Sequence, residues 1–124
     1  MRSASVLMIA ALLAGCARSA DDVARTVFAM PAHEAVDTAT LRSAVLHVLP
    51  LGTSRLDVLR YLKQHELLPD STGATGYEST GADLFVRLNG EHWRIVRTTF
   101  AIHLTFDEDD VIQAVNVERR LTGP

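Results

Sequence analysis

The chain has 124 residues, with 12 basic and 15 acidic side chains, a formal charge of −3 and one cysteine. That length describes one domain, large enough to bury roughly 65% of its unfolded surface without a metal or disulfide. Residues 1–15 hold 11 apolar side chains and the remaining 109 hold 48, an ordinary share for a soluble domain that argues against disorder. Beyond Arg2 the balance is 11 basic to 15 acidic, and no basic patch stands out, which argues against nucleic acid as a partner.

The leader carries the most specific signal. Met1-Arg2-Ser3 is a short positive start, and residues 4–13 form an apolar run with one Ser. Ten residues are too few for a spanning helix, which needs about 20, but suit a secretory signal. The run ends in Leu13-Ala14-Gly15-Cys16. This looks like a bacterial lipobox, in which the Cys thiol takes a diacylglyceryl group and the freed amine is acylated. A secretory signal that happens to contain a Cys, or an uncleaved anchor, is the plainer alternative. The only Cys in the chain stands where a lipobox requires it, and lipidation would remove an otherwise stray thiol. Ala17, rather than Asp, follows Cys16, which favours the outer membrane over retention at the inner one. The expected divisions are a signal peptide over 1–15, lipidated Cys16 with a tether over 16–36, and a domain over 37–124. Within the tether, the apolar patch Val27-Phe28-Ala29-Met30 reads either as a short strand or as a latch.

Leu41, Ala44, Val45, Val48 and Leu49 fall at i, i+3, i+4, i+7 and i+8, which predicts a helix over about 38–49. Asp37 or Thr38 would cap it and Pro50 would stop it. After a turn at Leu51-Gly52, Val58, Tyr61, Leu62 and His65 predict a second helix over about 54–66, capped by Thr53 or Ser54. Residues 69–82, with Gly73, Gly76 and Gly81, read as a long mobile loop. Leu84, Val86 and Leu88 alternate with Phe85 and Arg87, and Asn89-Gly90 signals a hairpin turn. Val96, Thr98, Phe100, Ile102, Leu104 and Phe106 share one parity of a long strand. An acidic turn over 107–110 precedes a last strand with Val111, Val115, Val117 and Leu121 on one face. Each strand is greasy on one side only. The expected fold is therefore α+β, a two-layer sandwich with two N-terminal helices on one face of a three- or four-stranded antiparallel sheet.

The run Pro50-Leu51-Gly52-Thr53-Ser54-Arg55-Leu56-Asp57-Val58-Leu59, together with Leu104-Thr105-Phe106-Asp107-Glu108-Asp109-Asp110-Val111-Ile112 and the lipobox, resembles the SmpA/OmlA (BamE-like) family of small outer-membrane lipoproteins. The resemblance covers about residues 49–117. The family usually carries Leu-Gly-x-Pro after the second helix and Met after the Gly, where this chain has residues 62–69 without that Gly, and Thr53. It reads as a distant member. The same two-helix and sheet unit resembles the repeats of a β-lactamase inhibitory protein. The first resemblance implies a non-catalytic protein-binding module at the outer membrane, acting in the cell envelope, and the second again implies a protein binder.

Candidate chemistry is sparse. His33, His47, His65, His92 and His103 include no i, i+4 pair that would mark a metal site. Ser43, Ser54, Ser71 and Ser79 lack a nucleophile-elbow context. The acidic run at 107–110 lacks the alternating ligands and central Gly of a calcium loop, and the glycines of 69–82 are not followed by Lys-Ser/Thr. No cofactor, metal or small-molecule substrate is expected. Arg87, Arg97, Thr99, His103, Thr105, Asn116 and Glu118 would share the polar face of the sheet, which reads either as a wet face or as a docking surface. Trp93 reads equally as a core plug or an interface anchor. The partner-binding patch is expected to join Tyr77 in the loop to Arg87, Arg97 and His103, with an envelope protein as partner. A cell-wall tether, an inhibitor-like periplasmic binder and a small enzyme are the alternatives.

Overall fold

The computed structural model describes residues 18–90 and 97–122. The leader, Cys16, His92, Trp93 and Val96 lie outside the described residues. The elements are α1 (Ala20–Val27), α2 (Thr38–Val48), α3 (Arg55–Gln64), β1 (Gly76–Thr80), β2 (Asp83–Asn89), β3 (Arg97–Phe106) and β4 (Ile112–Thr122). The strands form one antiparallel sheet in the order β1-β2-β3-β4, and the helices all precede it, an α+β arrangement. None of the helices described is long and apolar enough to cross a membrane.

Local signals explain α2 and α3. Asp37 caps α2 with a capping box, its carboxylate accepting from Thr40 N–H while Thr40 Oγ1 accepts from Asp37 N–H. Hydrogen bonding to the carboxyl, from the Thr40 backbone N–H first, holds Asp37 below its usual pKa. Leu41 and Val45 are fully buried and Leu49 nearly so. Ser54 caps α3 through Asp57 N–H, while the Asp57 side chain pairs with Arg60 at 2.8 Å. Val58 and Leu62 are its buried stripe. The turn between the helices is bound to the sheet: Gly52 N–H donates to Ile112 O, and Ile112 N–H to Thr53 O.

The segment expected to be a tether differs. From Ala20 it is a helix that buries Ala20, Ala24 and Val27, and its exit buries Phe28 and Met30. Ser19 caps it, Asp21 and Asp22 occupy the first turn, and Arg25 the last, matching the helix dipole at both ends. Phe28 stacks on Tyr61 with centroids 6.0 Å apart, and Tyr61 OH donates to Val27 O. Burial there pushes the Tyr61 hydroxyl pKa up. The buried face is built on alanines, so it lacks the bulky stripe by which a helix is read from sequence.

The expected loop over 69–82 is also corrected, since Gly76–Thr80 is a strand paired with β2 from Gly76↔Arg87 to Thr80↔Asp83. Asn89-Gly90 is not a turn. The ladder runs through it, with Asn89 opposite Thr99 and Gly90 N–H donating to Thr98 O. A Cβ on Gly90 would sit 2.8 Å from Ala20 N, so glycine is what lets the start of α1 rest on the sheet. In β4 the buried residue near the start is Ile112 rather than Val111. A bulge pairs Thr105 with Ala114 but Phe106 with Ile112, so Gln113 is the extra residue and parity changes there.

The core lies between the helices and one sheet face: Leu84, Val86, Leu88, Phe100, Ile102, Leu104 and Val115 meet Leu41, Val45, Val58 and Leu62.

Candidate functional site

The register decides which expected site residues meet. Glu78, Phe85, His103 and Asn116 lie abreast across the four strands, and Arg87, Ala101 and Glu118 form the next row. These rows, with Arg97, Thr99 and Thr105, belong to the face opposite the helices, because the alternate residues are the buried ones. Arg87, Arg97 and His103 therefore share a face, as expected. Tyr77 does not join them: it pairs with Val86, on the helix side, and packs against the core. The four-residue patch is split by the sheet itself.

Two of the three residues on the open face are engaged within the chain. Arg87 donates to the carbonyls of Asp70 and Ala74 and pairs with Glu78 at 3.1 Å. Its neighbour Asn89 is buried and donates through Nδ2 to Gly73 O, while its N–H bonds Thr75 Oγ1 and its Oδ1 accepts from Thr99. Together they staple residues 70–75 to the end of β2. Asp70 completes the staple by accepting from Thr72 N–H and Oγ1. Those Thr72 bonds come first in holding its carboxyl below the usual pKa, with the Arg87 charge a smaller contribution. Asp70 Oδ2 is 3.7 Å from Arg87 Nη2. His103 Nε2 lies 2.9 Å from Asp83 Oδ2, and its ring stacks on Phe85 with centroids 4.3 Å apart. A carboxylate-oriented imidazole is half of a general base, but no hydroxyl or thiol is bonded to His103 among the described residues.

The other histidines do not converge. His33 and His47 are exposed in separate segments, and His65 closes α3 with its ring on Tyr61. Among the described residues no group of three or more His, Cys, Asp or Glu is placed to hold a metal ion. A cleft beside α1 is lined by Arg18, Asp22, Arg25 and Met30, with Arg25 paired to Asp22 and Arg18 bonded to Thr26.

The feature that sequence reasoning missed is a groove of about 480 Å³ between α3 and β1, lined by Leu56, Leu59, Arg60, Lys63, Leu67, Leu68, Pro69 and Tyr77. Leu56 and Leu68 both line it and are 67% and 61% exposed. Chain reversal builds it. Glu66 takes a left-handed φ of 62°, which drops Leu67 into the core and turns Leu68 outward. Pro69 then bridges Tyr77 in parallel, with Tyr77 N–H donating to Leu68 O and Asp70 N–H to Tyr77 O. Gly76 is required beneath this crossing, where a Cβ would meet Leu68 O at 2.5 Å. These bonds cover β1's outer edge only at Tyr77. Two residues on, exposed Ser79 presents N–H and C=O on the same edge with no partner among the described residues. A second depression of about 440 Å³ continues the groove past Ser79 and Glu78. The only sequence signal is Leu56 standing off the helical stripe beside Leu67-Leu68-Pro69.

Compared with known proteins, the chain matches no family model, no curated protein and no solved structure.

Proposed function

We propose that this protein is a lipoprotein anchored through Cys16 in the outer membrane and facing the periplasm, whose domain binds another envelope protein without catalysing a reaction. The partner contributes an extended, apolar segment that lies along the groove between α3 and β1. The observation that carries this reading is the groove itself. Two exposed leucines and Tyr77 offer apolar area, and the unpaired peptide edge at Ser79 offers the hydrogen bonds an added strand needs. The open sheet face is the poorer surface, because Arg87 and His103 are already bonded within the chain. The anchor rests on Leu13-Ala14-Gly15-Cys16 at the end of its apolar run, and the SmpA/OmlA resemblance over 49–117 supports a binding role.

The test is site-specific photocrosslinking of the lipidated protein in outer-membrane extract. A crosslinker at Leu56 or Leu68 should trap one discrete protein, and one at Phe85 or Thr99 should not. Leu56→Asp combined with Leu68→Asp should abolish that capture while Tm stays within a few degrees. Crosslinks from Phe85 and Thr99 alone would move the site to the open face. Co-purification with peptidoglycan after detergent extraction would instead make the protein a wall tether.

A further inference from the structure

The fold sets which end of the domain meets the membrane. α1 begins at Ala20, with Ser19 as its cap, so only Ala17, Arg18 and Ser19 separate Cys16 from a packed helix. Four Cα steps span at most about 14 Å. The start of α1 is fixed to one end of the sheet, since Ala20 N lies against Gly90 and Gly90 N–H bonds Thr98 O near the start of β3. Leu121 of β4 pairs with Thr98 and so lies at the same level. From Thr98 to Phe106, β3 climbs eight residues, roughly 26 Å, to the opposite end.

The two ends differ in charge. The Gly90 end mixes signs: Arg18, Arg97 and Arg120 lie at or near it with Asp21 and Asp22 of the first turn of α1, and Asp22 is paired with Arg25 and Glu118 with Arg120. The far end carries Asp107, Glu108, Asp109 and Asp110, all exposed, with Asp83 of the neighbouring hairpin close by. Of these, Asp110 pairs with Arg55 and Asp83 meets His103, which leaves the far end acidic overall. Carboxylates avoid a negatively charged headgroup layer.

We propose that the domain stands on the bilayer with the Gly90 end, where α1 begins, against the headgroups and its acidic 106–112 hairpin pointing away. This rests on Cys16 being lipidated. It also places the groove between α3 and β1 on the side of the domain, open to partners approaching along the membrane rather than from beneath.

The experiment uses the full lipidated protein, in which Cys16 is consumed by its thioether and an introduced cysteine is the only free thiol. Leu121→Cys and Glu108→Cys would each carry a fluorophore. The proteins would be placed in vesicles of phosphatidylethanolamine and phosphatidylglycerol that contain a lipid with a nitroxide on its headgroup. Quenching should be severalfold stronger at position 121 than at 108. Inserting a flexible Gly/Ser segment between Ala17 and Arg18 should erase that difference while leaving the fold unchanged. Equal quenching at the two positions, or stronger quenching at 108, with the diacylglyceryl mass present on Cys16, would overturn the orientation and leave the anchor intact. Absence of that mass on Cys16 would overturn both.

Discussion

The two faces of the sheet are held by different physics. On the helix side, Leu84, Val86, Leu88, Phe100, Ile102 and Leu104 are almost wholly removed from water, and non-directional apolar burial holds the layers together. On the open side, Arg87, Asn89, Thr99 and His103 act by directed bonds: Arg87 and Asn89 to loop carbonyls, Thr99 to the amide oxygen of Asn89 and His103 to a carboxylate. The first face tolerates little change in volume, and the second little change in bonding partner. Polar residues that look available for docking when read along a strand are here spent on holding residues 70–75 and 83 in place.

Truncation of the inner face should have the largest effect. Phe100→Ala or Leu62→Ala, both at fully buried sites, should cost about 2–5 kcal/mol in denaturant unfolding, a large share of a typical 5–15 kcal/mol. A loss below about 1 kcal/mol at both would mean the faces are assigned the wrong way round. Next comes Gly90→Ala, which forces a Cβ against Ala20 N and should cost roughly 1–3 kcal/mol by overpacking. Its signature is faster amide exchange over Ala20–Val27 with the sheet unchanged.

On the outer face, Arg87→Ala leaves the Asp70 and Ala74 carbonyls without their donor, and about 1–3 kcal/mol should be lost. Proteolytic nicking of residues 70–75 should rise at the same time. Asp70 adds a pH dependence. Its folded pKa lies below the ordinary carboxylate value, so its contribution is complete above that value and is lost as pH falls through the folded pKa. The Tm gap between wild type and Asp70→Asn should accordingly be widest at neutral pH and close in acid below the usual carboxylate range. Smallest of all, His103→Gln should change stability by no more than about 1 kcal/mol, because its pair with Asp83 is partly open to solvent.

What was legible in the sequence follows the same division. The helices at 38–48 and 55–64 and the long strand ending at Phe106 announce themselves through bulky residues at fixed periods, and the caps Asp37 and Ser54 stand where sequence places them. α1 escaped because alanines supply most of its buried face: Ala20, Ala24 and Val27 do fall at helical spacing opposite charged residues, but without a stripe of bulky side chains the segment reads as a polar linker. β1 escaped because Gly76-Tyr77-Glu78-Ser79-Thr80 has one large apolar residue and is held by its neighbours' backbone. Asn89-Gly90 misled because both turn residues serve other ends: Asn89 bonds a distant loop and Gly90 makes room for a helix. The groove was hidden for a related reason. It depends on Glu66 reversing the chain in a left-handed conformation, and glutamate does not advertise that geometry.

The seat of α1 also bears on when the protein becomes whole. Its partners are Tyr61 and Gly90, which stand far downstream in the chain. As the polypeptide is made from its amino end, Phe28 must wait for Tyr61, and the start of α1 must wait until Gly90 has emerged and paired with Thr98. The first helix in the sequence thus cannot find its place until strands far downstream are present, and throughout that interval the chain is open to chaperones and proteases at residues 20–30.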